Sequence, residues 1–459
     1  MGLYPYADHY TVTRSFPAKG RARADVLAEI EAMSQLEDSP YHEGKISGSI
    51  YSGDEEHYEF LNEVFGHYSH ANVLQRDMYP SATRFEGEII AMTGDMLHSP
   101  GAEVGGPFGV LTSGGTESLM NPLLVYREWG RERGITQPNV VMPDTAHPAF
   151  DKGAHYFGIE LRKAAVTDQF IADMDSVRSL IDENTVALIG SAGTYPHGLI
   201  DPIEELSALA IECGINLHVD GCLGGFILSW GQDLGHPVPT FDFRLPGVTS
   251  MSADTHKYGF GLKGSSVLLY RTAELRRLQY FIVPDWSGGL YTSPGMSGSR
   301  SGGIIATAWA ALVTLGRDGY MTIAGEIFRT AAALRAVIEG VPELRVLGDP
   351  FFNVAFTTTD DSGLDIFVVN DYMASQRWRL NGLQRPAALH FCVTRPNTQE
   401  GVVEQFAVDL TAAIEYAKDK VGTPAQSGAF YAGGVSREQI ESGMSWWLDA
   451  TQSLPPATA

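Results

Sequence analysis

The segment Ser252-Ala253-Asp254-Thr255-His256-Lys257-Tyr258-Gly259 follows an apolar run from Gly247 to Met251. A lysine held at a strand end beside a cleft can condense its amine with an aldehyde. Upstream, Leu217-His218-Val219-Asp220 is another apolar strand, and it ends in a carboxylate. Pyridoxal phosphate needs both groups: a lysine for its aldehyde and an acid for its pyridine nitrogen. An isolated His-Lys pair is ordinarily a solvated loop. Here a strand-end acid and a Gly-Gly-Thr turn accompany it.

That turn lies in Thr112-Ser113-Gly114-Gly115-Thr116-Glu117-Ser118. Backbone amides at a helix start, with glycines allowing close approach, favour a phosphate; the plainer alternative is a capped turn. Asp220 precedes Gly221-Cys222-Leu223-Gly224-Gly225-Phe226, which reads as a tight buried turn rather than a water-facing loop. His147 stands between a strand and a helix from Pro148, where a planar ring can stack on a cofactor or simply cap the helix. His155, His197 and His218 read equally well as core or loop residues. Lys263, flanked by Gly261 and Gly264, can reach a second phosphate or point into water. Arg300, in Gly298-Ser299-Arg300-Ser301-Gly302-Gly303, opens a helix after a Gly-rich loop and is a second anion candidate.

These groups need a scaffold. Helical spacing marks 21–37, 55–68 and 84–98. From about residue 110 the chain alternates. Strands fall at 140–142, 160–163, 186–190, 215–219 and 265–270, with helices at about 116–133, from 148, 174–182 and 202–213. Such alternation predicts a mainly parallel sheet covered on both faces. A Gly/Ser/Pro-rich loop spans 286–303 and long helices cover 304–340. Strands near 352–358 and 390–394, with helices near 365–377 and 398–418, suggest a smaller α+β unit. The Pro/Ala-rich tail from Pro455 should fray.

The 459 residues provide ample core, and 44% hydrophobic and 19% charged content is ordinary for a globular enzyme. A formal charge of −23 argues against nucleic acid or an anionic membrane as partner. Cys213, Cys222 and Cys392 form neither a zinc nor a disulfide pattern, so a reducing compartment is expected. The N-terminus lacks a signal-peptide pattern, and no apolar run reaches the roughly 20 residues of a membrane span. A cytoplasmic location is the expectation, with no metal site.

Taken together, these segments resemble the sphingosine-1-phosphate lyase family, within the group II pyridoxal-phosphate decarboxylases. The resemblance runs from about Gly44 to Ile440, carried by Thr112 to Ser118, Ala146 to Gly158, Pro196 to Pro202, His218 to Phe226, Ser252 to Ser266, Asp285 to Gly303 and His390 to Val393. It implies fold type I: a mainly parallel seven-stranded sheet flanked by helices, with a smaller C-terminal α+β domain. The expected division is an N-terminal arm over 1–60, a large cofactor-binding domain over 61–315 and a small domain over 316–459. It also implies a homodimer with shared active sites. By resemblance Lys257 forms the Schiff base, Asp220 pairs with the ring nitrogen and His147 stacks on the ring. Gly115, Thr116 and His256 hold the cofactor phosphate, and Gly298 and Ser299 reach it from the other subunit. Tyr51, Asn72 and Lys263 match positions around the substrate's phosphate and polar head. Tyr195 matches a tyrosine near the reacting carbons.

Two positions depart from the family. Gln75 stands where the family has a histidine that contacts substrate phosphate, and Ser301 replaces a proline. The membrane anchor of eukaryotic members is not expected in this chain. The implied reaction is retro-aldol cleavage of sphingosine 1-phosphate, or a related phosphorylated long-chain amino alcohol, to a fatty aldehyde and phosphoethanolamine. The alternatives are an amino-acid decarboxylase or a lyase for a smaller β-hydroxy amine. A carboxylate-binding arginine in the pocket would favour the decarboxylase.

Overall fold

Short apolar runs bounded by glycines and polar turns build the centre of the molecule. In this computed structural model, residues 4–6, 8–37, 39–428 and 436–454 are described. The main sheet holds β1 (Phe108–Thr112), β2 (Asn139–Pro143), β3 (Glu160–Ala164), β4 (Thr185–Ser191), β5 (Asn216–Asp220), β6 (Ser250–Ala253) and β7 (Ser266–Tyr270). Their order is β1-β7-β6-β5-β4-β2-β3, and only β7 runs against its neighbours. Every strand but the edge strand β3 is buried along its whole length. Covering a parallel sheet on both faces requires such unbroken apolar runs.

Because the parallel strands share a direction, their carboxyl ends share one rim, where an open α/β sheet forms its crevice. Asp220, the last residue of β5, sits opposite Ser252 of β6. Thr112, at the end of β1, pairs with Ser266 of β7, whose next residue pairs with Ala253. Three chain segments far apart in sequence thus deliver Gly114, Asp220 and Lys257 to neighbouring places.

A hairpin follows, β8 (Phe281–Trp286) and β9 (Gly289–Ser293), where the composition suggested a loop. Gly288 and Gly289 supply its tight turn, with φ of 106° at Gly289. The helix Gly302–Glu339 then runs past position 315 and kinks at Gly316, whose φ of 58° and ψ of 178° are not helical. Ser301 caps this helix, its side chain accepting the Ile304 amide, a bond the family's proline cannot make.

The chain closes with an antiparallel sheet in the order β10 (Leu344–Val346), β11 (Asn353–Thr358), β13 (Ala387–Cys392), β12 (Asn381–Gln384). Helices Ile366–Ser375 and Val402–Lys418 accompany it. A terminal helix, Arg437–Gln452, buries none of its residues, and neither does Arg23–Glu37. The tail from Pro455 lies outside the described residues.

Candidate active site

The turn after β1 forms the first wall. Gly114 has φ 145° and precedes the 17-residue helix Gly115–Arg131. A β-carbon on Gly115 would lie 2.7 Å from an Asp254 carboxylate oxygen, so glycine is required there. Glu117 clasps the turn, accepting from the Ser113 amide at 2.8 Å and its hydroxyl at 2.6 Å. The helix start faces a cavity of about 320 Å³ whose lining includes Gly115, Thr116, His147, His256 and Lys257. Backbone amides and the helix dipole suit this end to a phosphate.

Lys257 lies in the middle of the turn 255–259 that follows β6. Its Nζ lies 3.0 Å from the buried carboxylate of Asp254, and His256 Nε2 lies 3.6 Å from the same oxygen. Burial alone would lower the Lys257 ammonium, but Asp254 overrides it and holds the pKa above the ordinary lysine value. Burial likewise opposes the Asp254 carboxylate, and Lys257 and His256 bring it below its usual range. His256 is fixed by Nδ1, 2.6 Å from the Ser265 carbonyl. Asp254 had no role in the sequence reading. Its signal is an acid three residues before the lysine.

A second cavity, about 440 Å³, adjoins the first through His147, Cys222 and Lys257. It gathers Tyr51, Tyr195, Asp220 and Lys263 with them. Asp220 is buried, and its oxygen accepts from the Cys222 amide at 2.9 Å and lies 3.4 Å from Ser252 Oγ. Among the described residues no cation pairs with it. A buried carboxylate without a cation is costly, so the site is built for a positive group to come to it. A protonated pyridine nitrogen is such a group. This carboxylate, the lysine and the helix start fit pyridoxal phosphate. His147 is half-buried at the junction of the cavities, its Nδ1 accepting from the Ala149 amide at 3.1 Å.

At the mouth, Lys263 Nζ lies 4.7 Å from the centre of the Tyr51 ring and 3.3 Å from the His256 carbonyl. The Lys263 side chain is open to solvent along one side. Burial of its ammonium and the neighbouring Lys257 push its pKa down to about 8. Tyr51 packs edge-on against Tyr258, which donates to the Val393 carbonyl at 2.7 Å. Tyr195 is half-exposed, its ring edge-on to His390 with centroids 5.0 Å apart.

Asn72, Gly298 and Ser299 do not line this cavity. Asn72 Nδ2 donates to Ser299 Oγ at 3.0 Å, and Asn72 Oδ1 accepts from the Arg300 amide. Arg300 grips the buried carboxylate of Glu86 through both terminal nitrogens, so the anion it binds belongs to the protein. Arg76 joins the same carboxylate at 3.2 Å. Gln75 is exposed, away from the cavity.

Residues 49–358 match the model of the pyridoxal-dependent decarboxylase conserved domain. The chain is 40% identical over 421 residues to sphingosine-1-phosphate lyase of Dictyostelium discoideum, covering 92% of this chain and 77% of that one. Against the rice enzyme of the same name, identity is 42% over 407 residues, 88% and 75% of the two chains. The chain belongs to the sphingosine-1-phosphate lyase family. It is also similar to the solved lyase structure from Burkholderia pseudomallei, with a TM-score of 0.92, 49% identity and coverage of 99% and 100%. A glutamate decarboxylase of Lactobacillus brevis shares the fold at a TM-score of 0.77 and 20% identity, covering 90% and 98%. The lyase family is pyridoxal-phosphate dependent, in keeping with the groups assembled around Lys257.

The sequence reading missed Asn353, Asn381, His390 and Cys392 as cavity walls. Burial pushes the Cys392 thiol up to about 11 and the Cys222 thiol well above its ordinary value, so both stay protonated. Among the described residues no helix is long and apolar enough to cross a membrane.

Proposed function

We propose that this chain cleaves sphingosine 1-phosphate, or a related phosphorylated long-chain amino alcohol, to a fatty aldehyde and phosphoethanolamine. The observation that carries this is the lining of the cavity around Lys257. It holds a lysine at its mouth and, among the described residues, no arginine. A decarboxylase ordinarily holds its substrate's carboxylate with a bidentate guanidinium, whereas a point-charge ammonium suits a phosphate.

Bound pyridoxal phosphate supplies the electron sink for the breaking carbon–carbon bond. Lys257 would hold its aldehyde carbon, and Asp254, 3.0 Å from Nζ, would pair with the lysine ammonium whenever that amine is free. Gly115, Thr116 and His256 hold the cofactor phosphate at the helix start. Asp220 would pair with the ring nitrogen and favour its protonated form, and His147 would hold the ring's face. Lys263 and Tyr51 take the substrate phosphate at the mouth, and Tyr195 stands over the reacting carbons.

The same reading makes the enzyme a homodimer, with Gly298 and Ser299 reaching the partner's cofactor phosphate and Asn72 carried with them. It is supported by the hairpin β8–β9, which exposes Phe281, Ile282, Trp286 and Leu290. An arm to residue 60, a large domain to 315 and a small domain beyond complete it, the last division falling at the Gly316 kink. The unpaired thiols suit a cytoplasmic, reducing setting.

The test is a product assay by mass spectrometry with phosphorylated sphingoid bases and α-amino acids. Fatty aldehyde with phosphoethanolamine is expected. Carbon dioxide and an amine from an amino acid, with no aldehyde, would overturn the proposal.

A further inference from the structure

The far wall of the Lys257 cavity comes from the small sheet. In the register of β11 and β13, Asn353 lies opposite Cys392 and Ala355 opposite His390. Side chains two apart on a strand share a face, so Asn353, His390 and Cys392 share one. All three line the cavity, as does Asn381, which lies opposite His390 on β12.

Two buried atoms on this wall have no partner among the described residues: His390 Nε2 and Asn353 Oδ1. Their chemical state is fixed by what the other end of each side chain does. His390 Nδ1 is 3.0 Å from the Pro196 carbonyl, which can only accept, so the proton sits on Nδ1 and Nε2 carries a lone pair. Burial holds the ring's pKa down to about 4, so it stays neutral at working pH. Asn353 Nδ2 donates to the Tyr195 carbonyl at 2.9 Å, which leaves Oδ1 as the free acceptor. An unpaired buried acceptor is costly, and both side chains adjoin Tyr195, His390 by its ring and Asn353 by its bond to the Tyr195 carbonyl, rather than lying scattered through the core.

We infer that His390 Nε2 and Asn353 Oδ1 form a hydroxyl subsite that selects an amine bearing a hydroxyl on the adjacent carbon. The inference rests on the lyase reading and names the part of that substrate the small sheet recognises. A hydroxyl donates one hydrogen bond and satisfies an acceptor that no described residue satisfies. A carboxylate in the same place offers only lone pairs, and two acceptors facing it repel it. The subsite thus admits a β-hydroxy amine and rejects an α-amino acid, without a charged group. His390 here binds and orients; a ring kept neutral by burial is a poor proton acceptor.

The test uses the holoenzyme and two phosphorylated long-chain amines, one with the 3-hydroxyl and one 3-deoxy. Rapid-mixing absorbance reports the affinity for each before turnover. Wild type should favour the hydroxylated amine by roughly three- to tenfold, the value of one hydrogen bond. His390→Phe should erase that preference, and His390→Gln, which restores an acceptor, should recover part of it. Equal affinities in wild type overturn the subsite even if no variant folds, and so does a preference undiminished in His390→Phe. If wild type releases aldehyde but His390→Phe keeps the preference, the subsite falls and the lyase reading stands. If the preference behaves as expected but no aldehyde forms, the subsite stands and the cleavage reading falls.

Discussion

The two walls of the Lys257 cavity are made differently. The wall from the main sheet places charge at strand ends: Asp220, Asp254, His256 and Lys257, with the helix start at Gly115 beside them. The wall from the small sheet offers neutral groups projecting from strand faces: Asn353, Asn381 and His390. On the proposed reading the first wall meets charged partners, a phosphate and a ring nitrogen, and matches them with opposite charge. The second, on the same reading, meets a hydroxyl and an alkyl chain, for which fixed charge would only cost desolvation. One sheet would then hold the cofactor and the other read the substrate.

The largest expected break in this comparison is at Asp220. Asp220→Ala removes the carboxylate proposed to pair with the ring nitrogen, and with it the Cys222 amide's acceptor, while leaving the backbone ladder of β5 intact. Loss of a neighbouring opposite charge moves a pKa by about one to three units, so turnover should fall roughly ten- to a thousand-fold. Steady-state kinetics with saturating cofactor measures this. Turnover near wild type would remove Asp220 from its role.

A smaller effect is expected at the mouth. Lys263→Ala should raise KM for a phosphorylated amine roughly ten- to a hundred-fold, the cost of one charge-assisted hydrogen bond, and leave the unphosphorylated amine little changed. The pH dependence follows from its ammonium, which is lowered to about 8. Below that value Lys263 is charged and grips the phosphate; above it the proton is lost and KM should climb. In the alanine variant that rise should vanish. A KM–pH profile identical in both proteins would place the phosphate elsewhere. Gln75→His should shift selectivity towards the phosphorylated amine, because Gln75 sits on the Asn72 turn that the dimer reading carries to the partner's site.

How much of this was legible beforehand differs between the walls for the same physical reason. Lysine and aspartate at the ends of apolar strands stand out against their surroundings, so pattern alone singles out Lys257 and Asp220, which the fold brings to one cavity. Glycines in the turn before a helix single out the helix start beside it. Polar residues on the face of a short strand carry no such contrast. Asn353 and His390 had only a period-two signal, His390 and Cys392 alternating with apolar neighbours. Arg300 was read as an anion site because Glu86, which it grips, lies 214 residues away in the chain. The hairpin β8–β9 was read as a loop because Gly, Ser and Pro dominate the segment that follows β8. Strands β10 and β12, at three and four residues, are too short to show a period.

A gentler perturbation concerns stability. His390 on the small sheet and His218 on the main one are buried and neutral, their pKa values lowered by burial to about 4 and about 3. His197, stacked on Phe170, is likewise lowered to about 4. Unfolded histidine binds its proton near about 6.5. Between that value and about 4 the unfolded chain therefore holds more protons, so stability falls as pH drops through the window. Each histidine contributes up to about 1.4 kcal/mol per pH unit there. Thermal unfolding should show Tm steady above pH ~6.5 and declining below it. A His390→Gln variant should decline less steeply. A flat Tm through the window would mean these rings are solvated in the folded protein.

The central claim is that the cofactor is carried by Lys257, between the two walls. Borohydride reduction of the purified holoenzyme fixes the linkage covalently, and peptide mapping then finds the modified lysine. The account predicts a single pyridoxyl adduct on Lys257, with Lys263 unmodified. An adduct on Lys263 or any other lysine, or full activity with no adduct, would contradict it.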